Sequence, residues 1–331
     1  MRGLTLTAAL VLSTLGAPAL AAACETSVTP VAGLAFASPY KGSDDRRATL
    51  NKQTASEARD ALRPVDDFIT ALSRLTDPGE DAQTRADCAL AQLADWARAD
   101  ALAALDSETA RLTAGSRLAG LGLAARAAWP LARDGRAKAD VAAWLSRRMV
   151  EQMTFWETAT DGASRGNLRA WAALAGATIA DLSDDPVMRG WSAWSLTYVA
   201  CTATQAGALP QEMSRGPRAM HYQLHAVAPL VTGAAVLKGA GIDLTPRCDR
   251  ALARVVDFTL DELDSGGARV AILTGETQTT FEAGGAKPFQ LAWLEAWLAL
   301  TPDARAERVA QPLRPLSYSK LGGDQSTLWS R

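Results

Sequence analysis

Arg218-Ala-Met-His221-Tyr222-Gln-Leu-His225-Ala-Val-Ala-Pro229-Leu-Val-Thr-Gly-Ala-Ala-Val-Leu237 carries both histidines of the chain, then runs on without a charge. At about 100° per residue, Arg218, His221 with Tyr222, and His225 fall at i, i+3/i+4 and i+7, on one helix face. The apolar continuation predicts a buried helix, so the polar face at its start is expected to border a cleft. Each of these side chains can donate a proton or hydrogen bond, and each neutral imidazole can also accept one. The bland alternative is an ordinary polar helix surface.

Outward from this stretch, helical patterning dominates from about residue 55. Helices are predicted over 57–76, 80–98, 105–130, 136–158, 165–182, 186–208, 215–240, 246–264 and 286–300. Between them lie breakers such as Asp77-Pro-Gly, Asp161-Gly, Asp184-Asp185-Pro186, Leu209-Pro210 and Thr245-Pro246. Alternation of period two is almost absent, so the chain is read as all-α. Short connections between long helices predict antiparallel hairpins. Such hairpins can stack as a solenoid or curve into a toroid, and no strict repeat favours the solenoid families. The ten tryptophans lean toward the toroid, most of them filling gaps between helices. Ser265 to Lys287, rich in Gly and Thr, is expected to hold a short hairpin or a mobile loop.

The 331 residues suffice for one large domain or two small ones. There are 34 basic residues, Arg2 among them, against 36 acidic ones. That balance argues against nucleic acid as a partner, so an anionic ligand must be met by a local site. Residues 1–23 read as a secretory signal peptide with cleavage after Ala21 or Ala23. Lipidation at Cys24 is the lesser alternative, because Ala21 stands where a leucine is usual. The expected product is one exported domain over 24–331, periplasmic, monomeric and free of the membrane. Cys24, Cys88, Cys201 and Cys248 are expected to form structural disulfides, their pairing left open. Their spacing offers no zinc knuckle, and no metal or cofactor is expected.

Five blocks then resemble one family, the alginate lyases of the poly(mannuronate) lyase type. Ser38-Pro-Tyr40-Lys41-Gly42-Ser43-Asp44 with Arg47-Ala-Thr-Leu-Asn51 resembles its lid segment. Cys88 with Leu93-Ala-Asp-Trp96-Ala-Arg-Ala-Asp-Ala-Leu resembles a second block. Gly166-Asn167-Leu168-Arg169-Ala170-Trp171-Ala172 sits where the family has Asn-Asn-His-x-Tyr-Trp-Ala. Arg218 to Ala226 resembles Arg-Ala-Leu-Ala-Tyr-His-Asn-Tyr-Ala. Ala292-Trp293-Leu294-Glu295 and Leu321-Gly322-Gly323-Asp324 resemble the C-terminal pattern.

The resemblance implies an (α/α) toroid, an incomplete α/α barrel of antiparallel hairpins. It also implies β-elimination on an anionic uronate polymer. The chain departs from the family at three positions: Leu168 replaces the catalytic histidine, His225 the catalytic tyrosine, and Pro39 the lysine before the lid tyrosine. Asn167, Arg218, Tyr222, Tyr40 and Trp171 are retained.

Elimination removes the weakly acidic C5 proton and expels the 4-linked sugar. It needs donors or a cation on the carboxylate, a base near C5 and an acid near O4. Asn167 and Arg218 suit the carboxylate. His225 suits the base and Tyr222 the acid, with His221 as the spare. Tyr40, Lys41, Arg169, Trp171, His221 and Lys320 are the expected substrate-binding residues. Each has a structural alternative. Asn167 fits a helix cap, and Arg218 an ion pair with Glu212 or Asp261. Arg169 and Lys320 also fit a solvated surface, and Glu295 a buried structural partner. Two readings from other classes are a non-catalytic polyuronate-binding protein aiding exopolysaccharide export and a glycoside hydrolase. The hydrolase needs a carboxylate pair across the groove, and Asp184, Asp185 and Glu282 make no good one.

Overall fold

A computed structural model describes residue 24, residues 28–77 and residues 79–329. The signal-peptide reading of 1–23 falls outside the described residues. The main helices are α1 (Lys52–Thr76), α2 (Ala82–Arg98), α3 (Glu108–Ala128), α4 (Gly135–Thr158) and α5 (Asn167–Ser183). They continue as α6 (Pro186–Cys201), α7 (Ala219–Gly239), α8 (Arg247–Ser265) and α9 (Trp293–Leu300). Local chemistry starts several of them. Asn51 accepts from the Gln53 and Thr54 amides, Ser107 from that of Ala110, and Asp134 from those of Arg136 and Ala137. Asp185 caps α6 with Pro186 in its first turn.

Helices α3, α5, α7 and α9 pack in series, each on the next, and α4, α6 and α8 lie against that series. The series helices are buried on nearly every side. In α7, every residue from Ala226 to Leu237 is buried, as expected for a helix without a polar face. Small residues allow the close approach. A Cβ on Gly115 of α3 would lie 2.6 Å from the Ala172 backbone of α5, and one on Gly233 of α7 would lie 2.6 Å from Leu196 of α6. The continuous core runs from Leu34 to Leu321.

The all-α expectation holds, and the curved series of hairpins is an (α/α) toroid. Strands are two residues long. β1 (Gly33–Leu34) pairs in parallel with β2 (Ala104–Leu105), and β3 (Ser317–Tyr318) pairs antiparallel with β4 (Gly323–Asp324). Two details differ from expectation. α6 stops at Cys201, where Thr204 to Gly207 turns the chain, rather than near 208. Ser265 to Lys287 holds the short helices Ala268–Thr274 and Thr279–Glu282, not a hairpin. Its glycines supply the left-handed stops: Gly266, Gly267 and Gly275 all have positive φ.

The cysteines pair as Cys24–Cys88 and Cys201–Cys248. Five tryptophans, Trp96, Trp144, Trp156, Trp171 and Trp293, are wholly buried. Glu295 is the structural partner it was read as, accepting from both ends of the Arg314 guanidinium and from Ser326.

Candidate active site

The Arg218–His225 face does border a groove. His221 and His225 line a recess of 150 Å³ together with Leu224, Phe289, Gln290 and Tyr318. His221 and Gln290 also line a wider cleft of 620 Å³ with Arg218, Pro217, Leu50 and Thr279. The two imidazoles lie nearly parallel, ring centres 6.4 Å apart. Both are held uncharged. Burial, then the Arg218 and Arg215 charges, push His221 down to about 4. Burial, then Lys320, His221 and Arg117, hold His225 well below the usual imidazole range.

Pro229 explains how His225 is fixed. A proline inside a helix offers no N–H to the carbonyl four residues back, which here belongs to His225. The Trp171 indole N–H fills that role, donating to His225 O at 3.1 Å, with its ring 5.3 Å from the imidazole. Trp171 is 1% exposed. It therefore backs His225 rather than facing the groove, which corrects its reading as a substrate contact.

Near His225 lies a partly buried ionic group. Arg117 of α3 grips Asp66 of α1 through two bonds, at 3.0 and 2.9 Å. Lys320, carried between β3 and β4, stands 3.9 Å from the same carboxylate. Burial, with help from Arg117, pushes the Lys320 ammonium down to about 8, and burial pushes the Tyr318 hydroxyl up to about 12. Lys320 is thus no solvated surface lysine.

Next to His221 on the same α7 face, Tyr222 shares a hydrogen bond with Tyr40 of the lid segment. Arg215 lies over the Tyr222 ring at 4.0 Å and Arg218 at 5.5 Å, with both also near the Tyr40 ring. The lid is a turn of its own. Tyr40 bridges Leu50, and Asp44 accepts from the amides of Arg46, Ala48 and Thr49. It is tied down by Arg46–Glu276 at 2.7 Å and by Arg215 donating to Arg47 O at 3.1 Å. Lys41 is exposed at its tip.

Asn167 lines a third recess, of 180 Å³, with Arg215, Arg47, Leu168 and Glu212. It is the first residue of α5, not its cap, and it donates to Glu212 through both backbone N–H and Nδ2. Arg218 pairs with neither expected carboxylate: Glu212 holds Asn167, and Asp261 holds Arg269 and Arg305. The structure thus groups Arg218, His221, Tyr222 and His225, with Asn167 in a recess across the Tyr40–Tyr222 pair.

Arg169 leaves the group altogether. Two residues past Asn167 is about 200° around the helix, and its guanidinium sits 4.7 Å from the Trp194 ring, 5.7 Å from Trp191 and 5.5 Å from Tyr198. It also donates to Ser195 Oγ at 3.2 Å. That is a packing role between α5 and α6, correcting the substrate-binding expectation.

Sequence reading missed Arg215, Glu212, Arg117, Asp66, Phe289 and Tyr318. Arg215 had a signal, standing three residues before Arg218. Glu212, close by in sequence, was considered only as an ion-pair partner of Arg218; the other four come from distant segments and had no signal.

The arrangement places uncharged imidazoles and tyrosine hydroxyls among cations, a setting for an acidic sugar. Comparison with known proteins agrees. Residues 124–269 match the family model described as alginate lyase. The alginate lyase of Pseudomonas syringae pv. tomato is 27% identical over 320 residues, covering 92% of this chain and 82% of that one. That of Pseudomonas putida (strain W619) is 29% identical over 327 residues, covering 92% and 85%. Among solved structures, alginate lyase A1-III from Sphingomonas species A1 superposes with a TM-score of 0.73 at 20% identity, covering 93% and 86%. A variant of A1-III complexed with a tetrasaccharide gives 0.79 at 21% identity, with the same coverage.

The fold is therefore that of the (α/α) toroid lyases. Over residues 124–269 the chain is similar to the alginate lyase family, and this similarity with that of the curated relatives supports a polysaccharide lyase.

Proposed function

We propose that this lyase cleaves a uronate-containing, alginate-like polymer by β-elimination in the periplasm. The observation that carries the reading is the single α7 face on which two uncharged imidazoles and Tyr222 lie beside Arg215 and Arg218. Arg218 and Asn167 hold the substrate carboxylate, where negative charge builds as the C5 proton leaves. His225, uncharged at neutral pH, takes that proton. The C5–H electron pair becomes the C4–C5 double bond, the C4–O4 bond breaks, and Tyr222 protonates the departing oxygen. His221, Lys320 and the lid residues Tyr40 and Lys41 bind the neighbouring acidic sugars. The solved relative with a bound tetrasaccharide supports an oligosaccharide-length groove.

Leu168 is the observation behind a second reading, a non-catalytic polyuronate-binding protein aiding export. Where the family has a histidine, this chain has a half-buried aliphatic side chain. One experiment separates the two. Purified protein is incubated with polymannuronate, polyguluronate and polyglucuronate while the ultraviolet absorbance of the unsaturated product is followed. Absorbance rising with at least one polymer is the expected result. Silence on all of them with binding retained would give the protein the export role.

A further inference from the structure

Asn167 is tethered in an unusual way. Its helix has no local side-chain cap, because Gly166 precedes it. The carboxylate of Glu212 stands in, accepting the Asn167 backbone N–H at 2.7 Å and Nδ2 at 2.9 Å. Glu212 is 1% exposed. The other edge of the amide, Oδ1, is buried and has no hydrogen-bond partner. Gly166 belongs to the same device. A Cβ there would lie 2.8 Å from Glu212 Oε1 and 2.9 Å from Gln211 Cγ, displacing the carboxylate from the helix end.

An ionised carboxylate only accepts hydrogen bonds, so it takes the NH2 edge of the amide and leaves Oδ1 as the orphan. A protonated carboxyl also has an O–H to give. Its carbonyl oxygen can keep the backbone N–H while its O–H donates to Asn167 Oδ1, once the amide has turned by half a rotation. The NH2 is then free. For a uronate this matters, since a carboxylate is held by an NH2 and repelled by an amide oxygen.

We propose that Glu212 is a positioning residue of the lyase site: by taking up one proton from solvent it turns Asn167, so that the amide NH2 meets the carboxylate of an acidic sugar. The inference rests on the assignment of Asn167 to the substrate carboxylate made above. Sugar binding is thereby coupled to proton uptake. The carboxyl is poised for it, since burial pushes Glu212 up to about 7 against the two Asn167 bonds and the Arg215 charge. Arg215 comes from the following turn, and Asp45, Arg46 and Arg47 of the lid line the same recess. From α5 come the two hydrogen bonds. Arg46 is paired with Glu276, which leaves Arg215 as the chief charge acting on the carboxyl.

The test is calorimetric titration of tetramannuronate into the His225→Ala protein, which binds without cleaving, in phosphate and in Tris buffer. Uptake by Glu212 approaching one proton per ligand at pH 8 is expected, on top of the share from Lys320, both falling toward zero at pH 6. Affinity should weaken by up to ten-fold per pH unit above about 7. In the added Glu212→Gln variant, the Gln oxygen accepts the backbone N–H and its NH2 donates to Oδ1, fixing the turned amide. The uptake due to Glu212 should vanish there, leaving only the term from Lys320, whose charge is lost near pH 8. Equal uptake and equal pH slope in the two proteins would overturn the proposal.

Absence of any binding would instead bring down the uronate reading. The amide turn is then read on the ligand-free wild type by nuclear magnetic resonance. The Asn167 side-chain NH2 signals should move with the midpoint of the Glu212 carboxyl carbon. Signals that stay fixed while Glu212 titrates would overturn the Glu212 proposal on their own.

Discussion

Tyr222 stands between Arg215, which lines one recess, and His221, which lines another, and the two recesses are built on opposite plans. On one side, Asn167 donates twice to the single buried carboxylate of Glu212, with the Arg215 charge acting on it. On the other, His221 and His225 carry no charge, and the ions stand nearby, in Asp66, Arg117 and Lys320. The difference suits the division of labour in the proposed elimination. A substrate carboxylate calls for donors and cations, whereas proton removal needs an uncharged nitrogen whose lone pair is free. Cations near the second recess serve both ends. Under the proposed reaction they would attract the acidic polymer, and their charge disfavours protonation of the imidazoles.

The sharpest way to break this division is His225→Ala. Loss of a positioned base should lower the rate on the cleaved polymer by about 10²–10⁴-fold, measured by product absorbance. A variant with full rate would move proton removal elsewhere. Arg218→Ala comes next, with a loss of roughly 10²–10³-fold carried mainly in kcat. Arg218→Lys should recover only part of it, since an ammonium cannot grip a carboxylate with two parallel bonds.

The uncharged imidazoles also make a stability prediction. His221 has a folded pKa of about 4 against 6.5 in the unfolded chain. The unfolded chain therefore binds more protons between those values. The contribution is complete above 6.5 and disappears as pH falls toward 4. Glu212 works with the opposite sign, its contribution being present below 4.5 and lost as pH rises through about 7. Melting curves from pH 4 to 7 separate the two. His221→Gln should flatten the acid decline by roughly 5 °C, and an unchanged decline would mean that His221 charges freely.

Smaller effects are expected at the edges. Tyr40→Phe removes one hydrogen bond between lid and α7, about 1 kcal/mol, so kcat/KM should fall about five-fold. Arg169→Met should leave the rate unchanged while costing about 1 kcal/mol in denaturant unfolding, the scale of its aromatic contacts. A clear loss of activity there would reopen its role in substrate binding.

How much of this was legible in the sequence depends on distance along the chain. The grouping of Arg218, His221, Tyr222 and His225 was legible because helical periodicity alone sets it. So were most helix ends, where Asn51, Ser107, Asp134 and Asp185 satisfy free amides beside them. The fate of Arg169 was not. It depended on Trp191, Trp194 and Tyr198 of the next helix, and a cation beside aromatic faces leaves no periodic mark. Trp171 was identified as important for the wrong reason, since its partner is the carbonyl freed by Pro229. Ser265 to Lys287 read as a short hairpin or a mobile loop because glycines and threonines mark turns generally, whichever elements they join.

By itself, then, the sequence determined that this chain is a series of α-helical hairpins, with one helix face bearing two histidines, a tyrosine and an arginine. Periodicity, capping and breakers are local, and local interactions are written in neighbouring residues. Only the tertiary structure decided what surrounds that face. Glu212 reaches Asn167 across 45 positions, the lid tyrosine reaches Tyr222 across 182, and Lys320 comes to Asp66 from the far end of the chain. Burial and charge at such meeting points set the protonation of the site, and both belong to the packed toroid rather than to any stretch of its residues.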